Sequence, residues 1–387
     1  MGDPPKSSSL TLSVFIHGCL FFLFQHQGFV EAFTGTYGVN YGRVADNIPS
    51  PGSVVTLLKR SKIKNVRIFD ADHAVLNAFR GSGLNIAVMV PNELLVDMNS
   101  SEEKAMYWIE QNVQPFLPQT HITGIAVGNE IIGSLNLDYQ KALPGAVSNI
   151  YKCLKKLRLE ELIEVSTPHS QAVFTNSYPP SVCSFKESIV EYMKPLLELF
   201  SKTGAPFYIN VYPFIAYKTE PDKIDIRYAL LQQNPGFRDP NTKLHYDNMF
   251  DAQIDAAYAA LEDAGYGNIE VRVSETGWAS RGGENEEGAT LSNARTYNYN
   301  LRKRLAKMKG TPFRPNIVVK AYVFALFNED SKPGPVSERN FGLFEADGSI
   351  AYDIGFNPLF SSSSLLPKAL NAVDFFCVVT MILMFVT

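Results

Sequence analysis

Two glutamates hold the chemistry this sequence can do. Glu275 sits in Val271-Arg-Val-Ser-Glu-Thr-Gly-Trp278, at the end of an alternating, β-branched run that reads as a strand. Glu130 closes Ile122-Thr-Gly-Ile-Ala-Val-Gly-Asn-Glu130, a second apolar strand with Asn129 just before the carboxylate. Two strands that each deliver one glutamate at the C-terminal end supply what two-carboxylate glycoside hydrolysis needs. A pair roughly 5–5.5 Å apart would act with retention, one carboxylate attacking the anomeric carbon while the other protonates the leaving oxygen. Taken alone, either glutamate reads as a solvated loop carboxylate or a helix cap; the same ending on two strands is harder to explain that way. Trp278 offers a stacking face for a sugar or, equally, buried packing.

Strand ends 145 residues apart in sequence must be brought together by the rest of the chain. Short β-like runs alternate with helix-forming stretches: residues 36–41, 65–69, 85–90, 124–128, 164–167, 206–211, 269–274 and 320–324 are the strands. Eight strands separated by helical segments predict parallel strands joined by right-handed crossovers. The closed version is a single (β/α)8 TIM barrel, an α/β fold whose active site lies at the C-terminal ends of the strands. An open doubly wound sheet is the alternative, but no G-x-G-x-x-G follows the first strand. Ser100 or Ser101 is a candidate N-cap for a helix from Glu102.

The two ends of the chain read as targeting segments. Residues 10–24 form a short apolar run, and Val30-Glu-Ala32 offers small residues at a cleavage site, so residues 1–32 are expected to be a signal peptide. A catalytic domain over 33–358 would follow. In residues 359–387, Ser361-Ser-Ser-Ser364 leads through a spacer to an uncharged apolar tail over 375–387. That pattern predicts a glycosylphosphatidylinositol anchor on Ser361, Ser362 or Ser363, and so a membrane partner reached through a lipid. The tail is shorter than the ~20 residues that span a bilayer. Asn99-Ser-Ser101 is an N-glycosylation sequon. Of the four cysteines, Cys153 and Cys183 lie between the two targeting segments, and a secreted setting would permit a bridge between them. A net charge of −4 without long charge runs favours no nucleic acid partner. His73, His121, His169 and His245 lack metal-ligand spacing, and no G-x-S-x-G is present, so neither a metal nor a cofactor is expected. Gly283-Glu-Asn-Glu-Glu287 reads as a solvated loop rather than a calcium site.

Six blocks then stand in order: Gly38-Val-Asn-Tyr-Gly42, Val66-Arg-Ile-Phe-Asp70, Ile125-Ala-Val-Gly-Asn-Glu130, Asn210-Val-Tyr-Pro-Phe214, Val273-Ser-Glu-Thr-Gly-Trp278 and Glu338-Arg-Asn-Phe-Gly-Leu-Phe344. Together they resemble the plant endo-β-1,3-glucanases of glycoside hydrolase family 17, over about residues 36–356. The resemblance implies a (β/α)8 fold and retaining hydrolysis of β-1,3-glucan, with Glu130 as general acid/base and Glu275 as nucleophile. It also implies that Asn129 binds the sugar 2-hydroxyl, that Glu329, Lys332 and Glu338 line the catalytic centre, and that Tyr41, Tyr212 and Phe214 contact sugar. Departures from the family pattern are Ala279 after the tryptophan, Lys320 in the eighth strand near the bowl, and His169 after the fifth strand. The anchored type without an appended cysteine-rich carbohydrate-binding module is the nearest match, acting as a monomer on callose-type glucan at the outer cell surface. Alternatives are a mixed-linkage β-1,3;1,4-glucanase, a transglycosylase, and a slow glucan-binding surface protein, for which keeping both glutamates would serve no purpose.

Overall fold

A computed structural model describes residues 33–356. The expected signal peptide, the serines at 361–363 and the apolar tail lie outside the described residues. Strands β1 (Tyr37–Asn40), β2 (Asn65–Arg67), β3 (Asn85–Val90) and β4 (His121–Val127) come first in the chain. Next are β5 (Glu164–Ser166), β6 (Pro168–His169) and β7 (Phe207–Asn210). A small hairpin, β8 (Phe237–Arg238) with β9 (His245–Tyr246), precedes β10 (Val271–Thr276) and β11 (Ala321–Val323). The main sheet runs β5-β4-β3-β2-β1-β11-β10-β7-β6, and every pairing in it is parallel.

The eight expected strands are nine in the structure because the fifth is broken at Thr167. Its first half pairs with β4, Gly124 opposite Glu164, and its second half pairs with β7, Pro168 opposite Tyr208. One six-residue segment thus joins the two ends of the sheet and closes a (β/α)8 TIM barrel. Strand β3 is buried along its whole length, as expected of a parallel sheet covered by helices.

Helices start where the sequence offers a polar cap. Ser50 accepts from the Ser53 amide ahead of Pro51–Arg60, with proline at the first helical position. Ser101 accepts from Lys104 ahead of Glu102–Asn112, and Thr290 from Asn293 ahead of Leu291–Ala306. Each helix returns the chain to the floor of the barrel, opposite the strand C-termini. Thr36, just before β1, donates to the Leu305 carbonyl at 3.0 Å, and Val319, just before β11, donates to Lys309 at 3.2 Å.

Two expectations are corrected here. Lys320 sits at the floor, not near the bowl: it precedes β11 and its Nζ lies 3.5 Å from Glu270, which precedes β10. Cys153 and Cys183 are free thiols. Cys153 lies on the Leu137–Leu157 helix and donates to the Glu102 carbonyl, whereas Cys183 follows a turn packed against the Met249–Asp263 helix, so no common site brings the sulfurs together. Burial pushes the Cys153 thiol up to about 11 and Cys183 up to about 12, so neither is a reactive thiolate at neutral pH.

Candidate active site

Glu275 lies near the end of β10 and is almost fully enclosed. Its Oε1 accepts from Arg67 Nη1 at 2.9 Å and its Oε2 from the Tyr212 hydroxyl at 3.0 Å. Arg67 is buried in β2 between Val66 and Ile68, and it reaches Asn40 Oδ1 at 3.2 Å and Asn129 Oδ1 at 2.7 Å. One guanidinium therefore holds the carboxylate, the residue beside the other glutamate and a β1 side chain in one plane of donors.

Glu130 follows β4 in a left-handed backbone conformation, φ +54°, which is unusual for a residue with a side chain. Its amide donates to Pro168 of the broken fifth strand at 3.0 Å. Its Oε1 accepts from Asn210 Nδ2 at 2.7 Å, and Asn210 Oδ1 accepts from Ser274 at 2.6 Å. Glu130 stands open to the cleft, yet the crowding walls and the neighbouring charge of Glu275 raise its carboxyl above the ordinary carboxylate range. The Asn210 amide and Arg67 pull the other way.

Both glutamates line one cleft of about 950 Å³ together with Tyr41, Asn129, Tyr212, Glu329, Lys332 and Glu338. Glu329 is buried and accepts from the Val44 amide at 2.9 Å; burial also raises its carboxyl. It fits because residue 42 is glycine, where a Cβ would stand 2.3 Å from its carboxylate. Lys332 pairs with Glu338 at 2.9 Å and lies over the Phe324 ring. Asn129 is fixed from behind, its amide donating to Asn92 Oδ1 at 2.8 Å.

Phe214 departs from the expected set. It is fully buried under the cleft, packed against Trp278 and Phe341, and cannot touch a sugar. Trp278 takes the packing role as well, with 0% exposure and its Nε1 donating to the Gly288 carbonyl at 2.8 Å. Glu286, in the acidic loop expected to be solvated, is instead largely enclosed by bonds to Ser337 and Lys218. Those bonds and the Gly283 amide outweigh burial and bring its carboxyl down to about 2. His169, in β6, stacks on Phe207 at 4.8 Å with neither ring nitrogen hydrogen-bonded.

Sequence reasoning missed Arg67 and Asn210 as site residues, although both stand inside recognised blocks. The signal was available: a charge between Val66 and Ile68 on a buried strand has to find a carboxylate, and an asparagine ending β7 points into the same bowl.

A parallel barrel with two coupled carboxylates at its mouth defines a carbohydrate-cleaving class of enzyme. Residues 37–356 match the family model "Glycosyl hydrolases family 17", and the chain belongs to that family. Among its relatives is Glucan endo-1,3-beta-glucosidase 14 of Arabidopsis thaliana, 44% identical over 339 residues that cover 86% of each chain. Glucan endo-1,3-beta-glucosidase 11 of the same plant is 45% identical over 84% of this chain and 76% of the relative. A solved beta-1,3-glucanase and allergen of Cryptomeria japonica pollen superposes with a TM-score of 0.80 at 39% identity, covering 84% of this chain and 99% of that one.

Proposed function

We propose that this protein is a secreted endo-β-1,3-glucanase that cleaves internal bonds of callose-type glucan with retention of configuration. The observation that carries the reading is the unequal treatment of two carboxylates in one cleft. Glu275 is held by Arg67 and Tyr212, while Glu130 is pushed toward its protonated form. Glu275 attacks the anomeric carbon as Glu130 gives its proton to the leaving glycosidic oxygen, producing a glycosyl-enzyme ester. Glu130, now ionised, takes a proton from water, which attacks the ester and releases Glu275. Asn129, with Oδ1 occupied by Arg67, keeps Nδ2 for the sugar 2-hydroxyl. Tyr41 lines the cleft with its hydroxyl enclosed and without a hydrogen-bond partner among the described residues, and it is assigned to sugar binding with Glu329, Lys332 and Glu338. The apolar tail beyond residue 375 is read as the signal for a glycosylphosphatidylinositol anchor on Ser361, Ser362 or Ser363, with residues 1–32 as signal peptide and Asn99 as glycan acceptor, in a monomer at the outer face of the plasma membrane.

Purified residues 33–361 are offered a reducing-end-tagged linear β-1,3-glucan oligosaccharide, and products are followed by mass spectrometry and by the anomeric proton signals. Shorter internal fragments released as the β-anomer, and absent with Glu275→Ala, are the expected result. Initial release of the α-anomer defeats the retaining assignment, longer products convert the reading to transglycosylation, and turnover confined to mixed-linkage glucan moves the substrate. Phospholipase treatment of expressing cells should free the full chain into the medium; retention after confirmed lipase action defeats the anchor.

A further inference from the structure

Charge is distributed unevenly along this chain. Net charge is −4, yet residues 47–69 and 288–328 contain no aspartate or glutamate while holding five and eight lysines and arginines respectively. The fold brings both stretches to one place. Lys59 lies in the last turn of the Pro51–Arg60 helix, and Lys62 and Lys64 lead from it into β2. Lys303 lies in the last turn of the Leu291–Ala306 helix, and Lys307 and Lys309 follow it. β1 is hydrogen-bonded to β2 on one side and to β11 on the other, so the two basic clusters flank the point where β1 enters the floor.

All six lysines are exposed, and none has a carboxylate partner among the described residues. Cations at helix C-termini complement the helix dipole, which accounts for Lys59 and Lys303. It does not account for Lys62, Lys64, Lys307 or Lys309, which lie beyond the last turns. At the opposite end of the barrel the cleft presents Glu130, Glu275, Glu329 and Glu338. Those glutamates have Arg43, Arg67 and Lys332 beside them, whereas the six floor lysines have no acidic partner among the described residues, so unbalanced positive charge gathers at this edge of the floor.

The C-terminal segment runs down the same helix. Arg295 donates to the Asp353 carbonyl at 3.1 Å and Arg302 to Ile354 at 2.9 Å, and Phe356 lies under the Arg302 guanidinium.

We propose that the basic barrel floor docks on anionic phospholipid headgroups, holding the cleft away from the bilayer and toward the glucan. The proposal takes from the lipid-anchor reading only its choice of partner, and its test omits the tail so that either can fail alone. The match to a solved relative over 99% of that chain shows that a barrel of this family stands without further segments. Residues 33–361 are sedimented with vesicles of phosphatidylcholine alone or with phosphatidylserine at roughly 3:1, in low salt and in about 1 M salt. Binding only to the anionic vesicles is expected, lost in high salt. Lys303→Glu/Lys307→Glu/Lys309→Glu and Lys59→Glu/Lys62→Glu/Lys64→Glu should each lower it about tenfold or more. Both variants should hydrolyse soluble β-1,3-glucan oligosaccharide at the unaltered rate, which certifies their fold. Lys141→Glu/Lys186→Glu/Lys194→Glu, the same charge change elsewhere, should bind as the parent does. Equal binding to neutral vesicles, no binding to either, an equal loss in the control variant, or preference for polygalacturonate over vesicles overturns the proposal.

Discussion

Two arginine–glutamate pairs are stacked inside this barrel, and only one of them belongs to the active site. Arg67 meets Glu275 at 2.9 Å near the mouth; Arg272 meets Glu164 at 2.8 Å toward the floor. Both arginines are buried strand residues that point into the barrel. The lower pair lies outside the active-site cleft: Tyr208 donates to Glu164 at 2.6 Å, the Phe33 and Tyr208 rings flank the guanidinium, and Glu164 itself is half-buried. Its carboxylates and tyrosine more than offset burial and raise Arg272 well above its ordinary value, a locked ion pair. The upper pair opens on a cleft and has a second carboxylate, Glu130, as its neighbour. The same ion-pair chemistry thus serves structure outside the cleft and reaction where the cleft and a second acid adjoin it.

Glu275→Ala should separate the two pairs most sharply, lowering kcat by about 10⁴-fold or more while the protein stays folded. Steady-state hydrolysis together with a melting curve checks both halves. Removing the arginines comes next. Arg67→Met strands a buried carboxylate and should cost about 3–5 kcal/mol of stability in a denaturant titration, and Arg272→Met, whose partner Glu164 is half-buried, should cost less. Only Arg67→Met should also lower kcat of the folded fraction, by about 10²-fold; equal kinetic losses from both would erase the distinction. Tyr212→Phe removes one donor from Glu275 and leaves the ring in place, so a loss of about tenfold in kcat with KM nearly unchanged is expected. Asn210→Ala acts on the other acid. The Asn210 amide favours ionised Glu130, so its removal raises that carboxyl further. Activity needs Glu130 protonated, so the alkaline limb of the kcat/KM profile should move to higher pH. A move to lower pH would show that Asn210 does not hold the charged form.

The fold was readable because eight apolar runs separated by helical periods admit few topologies, and Glu130 and Glu275 were readable because both fall at strand ends. Thr167 was not readable as the place of closure. Pro168 directly after it marks an interruption, but nothing local says that the chain resumes there against a different strand. Depth was equally hidden. Phe214 and Tyr212 are two residues apart just past one strand, yet the backbone turn at Pro213 sends one ring beneath the cleft and the other's hydroxyl into it. Lys320 was misplaced although the start of the strand was right to within one residue: it lies just ahead of β11, and in a parallel barrel that end of a strand is at the floor, opposite the strand ends that form the mouth. The thiols stay apart because a pair of cysteines in sequence says nothing about the distance between them.

His169 sets a limit on endurance that the catalytic residues do not. Enclosed against Phe207 with both nitrogens unbonded, it is driven by burial from about 6.5 to about 3. The unfolded chain takes up this proton near pH 6.5 and the folded chain refuses it until near pH 3, so the residue's full contribution is present above pH 6.5. Between those values each unit of acidification favours unfolding by about 1.4 kcal/mol through this one ring. Glu130 works only while it carries a proton, so acid that suits the cleft wears on the wall behind it. In acid this core imidazole, on the broken strand that closes the barrel, pulls toward unfolding while buried Asp255, raised by burial to about 7, pulls the other way.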